Sequence, residues 1–125
     1  MHTTLGRVAI VDDDVSMRTS IERLLRANGY ATSAFASAEE FLSSGAFDDV
    51  IGMVLDIHLD GMSGIELRRC LAAAGSSIPV VFITGHDDEK SHAEALAAGC
   101  VAYLRKPFEA ARLMAALEQG RTSNE

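Results

Sequence analysis

Several polar side chains in this sequence stand directly after short apolar runs, and their types suit one chemistry. Ala9-Ile10-Val11 leads into Asp12-Asp13-Asp14, Val54-Leu55 into Asp56, Val80-Val81-Phe82-Ile83 into Thr84-Gly85, and the run ending at Leu104 into Arg105-Lys106-Pro107. Three carboxylates brought together cannot all stay ionised cheaply unless a hard cation sits among them. Mg2+ takes oxygen ligands, keeps several waters and commonly works with phosphate, so Asp12, Asp13 and Asp56 are candidate ligands for it. An exposed aspartate beside such a metal can attack a phosphoryl group, since carboxylates are known to form aspartyl-phosphates. The Thr84 hydroxyl and the Lys106 ammonium are groups that bind phosphoryl oxygens.

Each signal has a plainer reading when taken singly. An Asp-rich turn often caps a helix, a Thr-Gly pair is often only a turn, and a Lys-Pro pair commonly lies on the surface. Their joint occurrence, in order, at four strand ends is much more specific.

That chemistry requires elements that bring the strand ends side by side. Val8 to Val11 is a short β-branched run fit for a central strand, and Val15, Ile21, Leu24 and Leu25 then recur at helical spacing up to Asn28-Gly29. Tyr30 to Phe35 reads as a less buried edge strand. Ser37 and Glu40 resemble a capping box, with the Glu40 side chain expected on the Ser37 amide, for a short helix carrying Phe41 and Leu42. Val50 to Asp56 is the third strand, and Ile65, Leu67 and Leu71 mark the apolar side of the next helix. Ile78 to Ile83 is the fourth strand, Asp87 and Asp88 open an alanine-rich helix, and Cys100 to Leu104 is the fifth strand. A last helix spans about Glu109 to Glu118, with Leu113, Met114 and Leu117 inward, and Gly120 to Glu125 is expected to be a flexible polar tail.

Strands therefore alternate with helices throughout, without a composition break or repeat. The expectation is an α/β fold of the flavodoxin-like, doubly wound kind, with a five-stranded parallel sheet in the order 2-1-3-4-5 and helices on both faces. That order places Asp12, Asp13 and Asp56 together at a topological switch point. At 125 residues and 13.3 kDa, residues 1–125 read as a single domain with a core at about 7–118.

The formal net charge of −7 and the pI near 5.0 argue against direct nucleic-acid binding by this chain. Met1 to Arg7 lacks the regions of a signal peptide and no stretch reaches transmembrane length, so the expectation is a cytoplasmic protein without membrane contact. Cys70 and Cys100 have no metal-site spacing and read as buried, reduced thiols.

With these residues in hand, the chain resembles the response-regulator receiver domain of two-component signalling, from Arg7 to about Glu118. The matching stretches are Ile10-Val11-Asp12-Asp13, Leu55-Asp56, Met62-Ser63-Gly64, Ile83-Thr84-Gly85 and Lys106-Pro107-Phe108. The resemblance implies that Asp56 is the phosphoacceptor, that Asp12, Asp13 and the backbone carbonyl of His58 hold Mg2+ together with Asp56, and that Thr84 is the switch hydroxyl. It implies further that Lys106 meets the phosphoryl group, that Tyr103 turns inward on activation, and that the Lys106-Pro107 bond is cis. Such a protein takes a phosphoryl group from a histidine kinase, a phosphotransfer protein or a small phosphodonor, then loses it slowly. It catalyses only its own phosphorylation and dephosphorylation and is not otherwise an enzyme. The readout would be the surface of the fourth helix, fifth strand and fifth helix, through an output partner or a phosphorylation-dependent homodimer. The motifs look most like the receivers often joined to a helix-turn-helix output.

Two departures stand out. Asp60 occupies a position, four after Asp56, where the family often has proline. His58 and His86 occupy the positions two after Asp56 and two after Thr84, which in receivers influence access of the hydrolytic water. Imidazoles titrate in the physiological range, so these two are candidates for tuning the phosphoryl lifetime with pH, against the plainer reading of solvated loop histidines. Two rivals are an aspartate-nucleophile phosphohydrolase of the haloacid-dehalogenase type, for which a further acidic pair after Lys106 is missing, and a degenerate receiver acting only as a protein-interaction module.

Overall fold

Alternating strands and helices follow the apolar runs closely in a computed structural model that describes residues 4–45 and 47–123. The elements are β1 (Arg7–Val11), α1 (Val15–Ala27), β2 (Ala31–Phe35), α2 (Ala38–Ser44), β3 (Val50–Asp56), α3 (Gly64–Ala73), β4 (Val80–Thr84), α4 (Glu89–Ala98), β5 (Ala102–Arg105) and α5 (Ala110–Ser123). All strand pairs are parallel and the order is β2-β1-β3-β4-β5, the flavodoxin-like arrangement expected from the sequence.

Side-chain alternation along the strands divides the core into two layers. Ala9, Val11, Met53, Leu55 and Phe82 face the layer that holds Phe41 of α2 and Leu67 of α3. Val8, Ile10, Val54, Val81 and Ile83 face the layer of Ile21 and Leu25 from α1 and Leu113 from α5. Phe41 sits in an aromatic group, its ring 5.3 Å from that of Phe35 and 4.8 Å from that of Phe47. The register is what matters for the site. Val11 pairs with Leu55 and Asp56 with Ile83, so Asp12 is level with Asp56 and Thr84 lies one residue further along.

Several local expectations shift. Val15 is 63% exposed, because it is the first residue of α1 and precedes the stripe that packs inward. Met114 is only half-buried, while Leu113 and Leu117 are inward. Cys70 is exposed and Cys100 half-buried, both as free thiols, since the inward face of α3 is defined by Ile65, Leu67 and Leu71 instead. The Ser37 hydroxyl does cap α2 through the Glu40 amide at 3.0 Å, but the Glu40 carboxylate accepts from Ala36 rather than from Ser37. A complete reciprocal capping box stands instead at Ser63 and Glu66, at the start of α3. The last helix continues through Gly120 to Ser123, past the expected end at Glu118. Gly120 is buried there, where a Cβ would come within 2.8 Å of Pro79 and 3.2 Å of Val101. Met1 to Thr3 at the N-terminus, and Asn124 and Glu125 of the polar tail, lie outside the described residues.

Ser63 joins this packing to the site, because α3 starts just after the loop that follows Asp56. Ser63→Ala is expected to lower the unfolding free energy by about 1 kcal/mol, measured by urea denaturation, since it leaves a helix N-terminal amide without its acceptor.

Candidate functional site

The parallel sheet delivers Asp12, Asp56, Thr84 and Lys106 to one edge, and the tripeptide Asp12-Asp13-Asp14 divides its work there. Asp14 is the cap of α1, its Oδ1 accepting from Ser16 at 2.9 Å and Met17 at 3.3 Å. Asp12 and Asp13 instead join Asp56, with carboxylate oxygens of the three residues all within 4.8 Å of one another. Asp12 is fully buried and Asp56 nearly so, at 5% exposure, whereas Asp13 is open to solvent.

Lys106 closes the cluster. Its Nζ donates to Asp12 Oδ2 at 2.9 Å and to Asp56 Oδ2 at 3.0 Å, so one ammonium bridges two buried carboxylates. The lysine is held in place by its own backbone, which donates to the Thr84 carbonyl at 2.7 Å, and the following peptide to Pro107 is cis. Burial pulls the Lys106 pKa down, but hydrogen bonds to Asp12 and Asp56 and their charges overcome it and leave it above the ordinary lysine range. Burial pushes the Asp56 carboxyl up, and the repulsion of Asp12 adds to this, while Lys106 and the His58 amide oppose it. The net direction is upward. One ammonium does not fully offset two buried carboxylates with a third beside them, so the mouth of the site carries excess negative charge.

That excess, and the hard oxygen character of all three donors, fits a small divalent cation of the Mg2+ kind. Asp12, Asp13 and Asp56 together could hold such an ion.

The phosphoacceptor candidate is also oriented from behind. The Asp56 Oδ1 accepts from the His58 amide at 3.0 Å, leaving Oδ2 toward Lys106. Thr84 is buried at 1% exposure, and its hydroxyl is engaged within its own loop, donating to the His86 carbonyl at 2.8 Å and accepting from the His86 amide at 3.0 Å. His58 and His86 do meet. Their ring centroids are 5.7 Å apart, and His58 Nε2 lies 3.1 Å from the same His86 carbonyl that Thr84 uses. His86 also approaches Asp88, at 3.4 Å.

Tyr103 lies away from the acidic cluster, on the side where α4, β5 and α5 adjoin. Its hydroxyl donates to Asp87 at 2.8 Å, and its ring stacks on His92 with centroids 4.4 Å apart and planes 19° from parallel. Burial, with the hydrogen bond to Asp87, pushes its phenol up to about 12. A hollow of about 440 Å³ adjoins it, bounded by Asp87, His92, Arg105, Phe108 and Arg112.

Three residues have contacts at the site that their sequence positions do not announce. Arg18 of α1 donates to the Asp12 carbonyl at 2.7 Å. Glu39 of α2 accepts from the Met62 amide at 2.9 Å. Gly64, whose amide donates to the Ile57 carbonyl at 3.1 Å, leaves space for the backbone of Asp56. A basic residue one turn into α1 is the only available sequence signal for the first. The Ser63-x-x-Glu66 spacing marks the helix start that places Gly64.

The profile described as "Response regulator receiver domain" matches residues 8–118. Nodulation protein W of Bradyrhizobium diazoefficiens is 40% identical over 115 residues, which cover 92% of this chain and 51% of that protein. Transcriptional regulatory protein FixJ of the same organism is 37% identical over 116 residues, covering 93% of this chain and 57% of that one. The chain thus spans about half the length of these curated relatives. Among solved structures, the crystal structure of FixJ-N superposes with a TM-score of 0.87 at 36% identity, covering 96% of each chain.

Proposed function

The chain belongs to the response regulator receiver domain family, and from that membership we propose that it accepts a phosphoryl group on Asp56 in a Mg2+-dependent reaction with a histidine kinase or phosphotransfer protein. Membership itself supports a phosphoacceptor role in two-component signalling. The observation that carries the assignment to residues is the bridge from one Lys106 ammonium to Asp12 and Asp56, with Asp13 in the same cluster.

In this reading an Asp56 carboxylate oxygen attacks the phosphorus of the donor's phosphohistidine. The new O–P bond forms as the P–N bond breaks, and the departing imidazole keeps the bonding pair and takes up a proton. Bound Mg2+, held by Asp12, Asp13, Asp56 and the His58 carbonyl, would supply positive charge against the transferring group. Lys106 gives up its contact with Asp56 and pairs with a phosphoryl oxygen, while remaining near Asp12. The Thr84 hydroxyl turns from His86 toward another phosphoryl oxygen. Slow reversal follows when water attacks the phosphorus, releasing inorganic phosphate and restoring the carboxylate, with His58 and His86 beside the path of that water. The added charge shifts an existing equilibrium rather than creating a new state, and the surface of α4, β5 and α5 around Tyr103 is its readout.

No separate catalytic activity on other molecules belongs to this proposal. The described residues are taken as one domain, and no helix among them is long and apolar enough to cross a membrane. An output partner, a phosphorylation-dependent homodimer or a transcriptional output joined to the domain, as the names of relatives suggest, completes the reading. Incubation with a small acyl phosphate and Mg2+ should add one phosphoryl group to the intact mass, and prior chelation should prevent it. Equal labelling with and without the chelator would contradict the metal dependence.

A further inference from the structure

Glu39 stands on α2, an element that supplies no residue to the acidic cluster, yet its carboxylate reaches the loop that leaves Asp56. Its Oε2 accepts from the Met62 backbone N–H at 2.9 Å. The same oxygen lies against Gly61, where a Cβ would come within 2.6 Å of it, and Gly61 has a φ of 75°. The loop therefore turns over the carboxylate at a residue with no side chain to obstruct the approach. The Met62 N–H in turn holds the Glu39 carboxyl below its usual range, so the acceptor stays ionised well below neutral pH.

The feet of this loop are fixed by the sheet and the helix. The Ile57 amide donates to the Ile83 carbonyl at 3.0 Å, and the Gly64 amide donates to the Ile57 carbonyl at 3.1 Å. Between them run His58 to Ser63, with His58, Asp60 and Gly61 exposed. Leu59 is buried in the core between them, and beyond it Asp60-Gly61 is a pair with wide backbone freedom. A charge-assisted hydrogen bond from a helix at the far side of the loop removes that freedom.

Resting on the receiver reading of the site, we infer that Glu39 is a positioning residue for phosphoryl transfer: by holding the Met62 amide it fixes the loop that carries the His58 amide on Asp56 and, in that reading, offers the His58 carbonyl to the cation. It touches no reacting atom. Its effect passes through Met62 and the loop to the cation ligand and to the orientation of the nucleophile.

Mg2+ titration by calorimetry on the full chain, for wild type, Glu39→Ala and Glu39→Gln, tests this. Glu39→Ala is expected to weaken Mg2+ about tenfold, in line with other residues that hold a metal ligand from behind. Glu39→Gln keeps an acceptor oxygen for Met62 and should bind Mg2+ nearly as wild type. Amide hydrogen exchange should accelerate at Met62 in Glu39→Ala alone. Phosphorylation of Glu39→Ala should be slow at low Mg2+ and recover when Mg2+ is raised. Wild-type affinity in Glu39→Ala would overturn the inference, and so would equal weakening in Glu39→Gln, which would point to charge rather than position. A wild type that neither binds Mg2+ nor takes up a phosphoryl group would overturn the receiver reading together with it.

Discussion

Asp56→Asn is expected to lose all covalent labelling by a phosphodonor and, at the same time, to melt a few degrees higher near neutral pH. The first effect follows from chemistry, because a neutral amide oxygen is not a nucleophile toward phosphorus. Intact-mass measurement after incubation with Mg2+ and an acyl phosphate reads it directly, and labelling that persists would remove Asp56 from its role. The second effect follows from the electrostatics of the cluster. Burial holds the Asp56 carboxyl above its ordinary pKa in the folded protein. The folded state therefore binds more protons than the unfolded chain between the two pKa values, and stability falls as pH rises through that window. Asparagine lacks this titration, and its single amide oxygen can keep the bond from the His58 amide while Lys106 retains its other partner, Asp12. The gain over wild type should be present at neutral pH and disappear as pH falls below the ordinary aspartate range. Thermal melts of both proteins across that range decide it. A variant less stable than wild type at neutral pH would mean that Lys106 offsets the burial of Asp56 more fully than its environment implies.

Gly64→Ala is expected to be among the most damaging single-methyl changes in the chain. A Cβ there would overlap the Asp56 carbonyl oxygen, lie 3.0 Å from its carbonyl carbon and 3.2 Å from Ile57 Cα. All three atoms are backbone, at the end of the buried strand β3, so no flexible side chain can move aside. The cost should be about 3 kcal/mol, at the upper end for inserting a methyl into a packed site. That corresponds to a fall of roughly 10 °C in melting temperature for a domain of this size. The variant should also label more slowly than wild type at a temperature where both are folded, since the displaced atoms belong to Asp56, the proposed nucleophile. Chemical denaturation and single-turnover labelling check the two parts separately, and a melting temperature equal to wild type would mean that the loop after Asp56 shifts freely.

The sequence reveals the frame of this site because each central strand ends where its apolar run ends. Val11, Leu55 and Ile83 lie at the boundary between a buried strand and a polar turn, and the parallel order then brings Asp12, Asp56 and Thr84 together. Asp13 and Asp14 show the limit of that reading. The three consecutive acids look alike in sequence, yet the geometry of the turn sends Asp14 to the helix and the other two to the cluster. Contacts between elements were harder to read. Glu39 meets Met62 and Arg18 meets the Asp12 carbonyl through the relative placement of helices and loops, which no local periodicity encodes. The position of Gly64 carried a clear motif but no visible reason. The reason is the carbonyl of Asp56 lying against its α-carbon.

Two side chains meet at the His86 carbonyl, and in the tautomer that carries its proton on Nε2 the His58 imidazole is a second donor to it. Thr84 and His58 both approach that oxygen, one from within the loop and one from across the site. If the threonine hydroxyl leaves for a phosphoryl oxygen, the carbonyl still has the imidazole in place as an understudy. The exchange then swaps partners without stranding a backbone acceptor, which removes one barrier that would otherwise resist it. In the proposed switch this lowers what phosphorylation of Asp56 would have to supply, and replacing His58 with a side chain that cannot donate should make the loop more reluctant to let go.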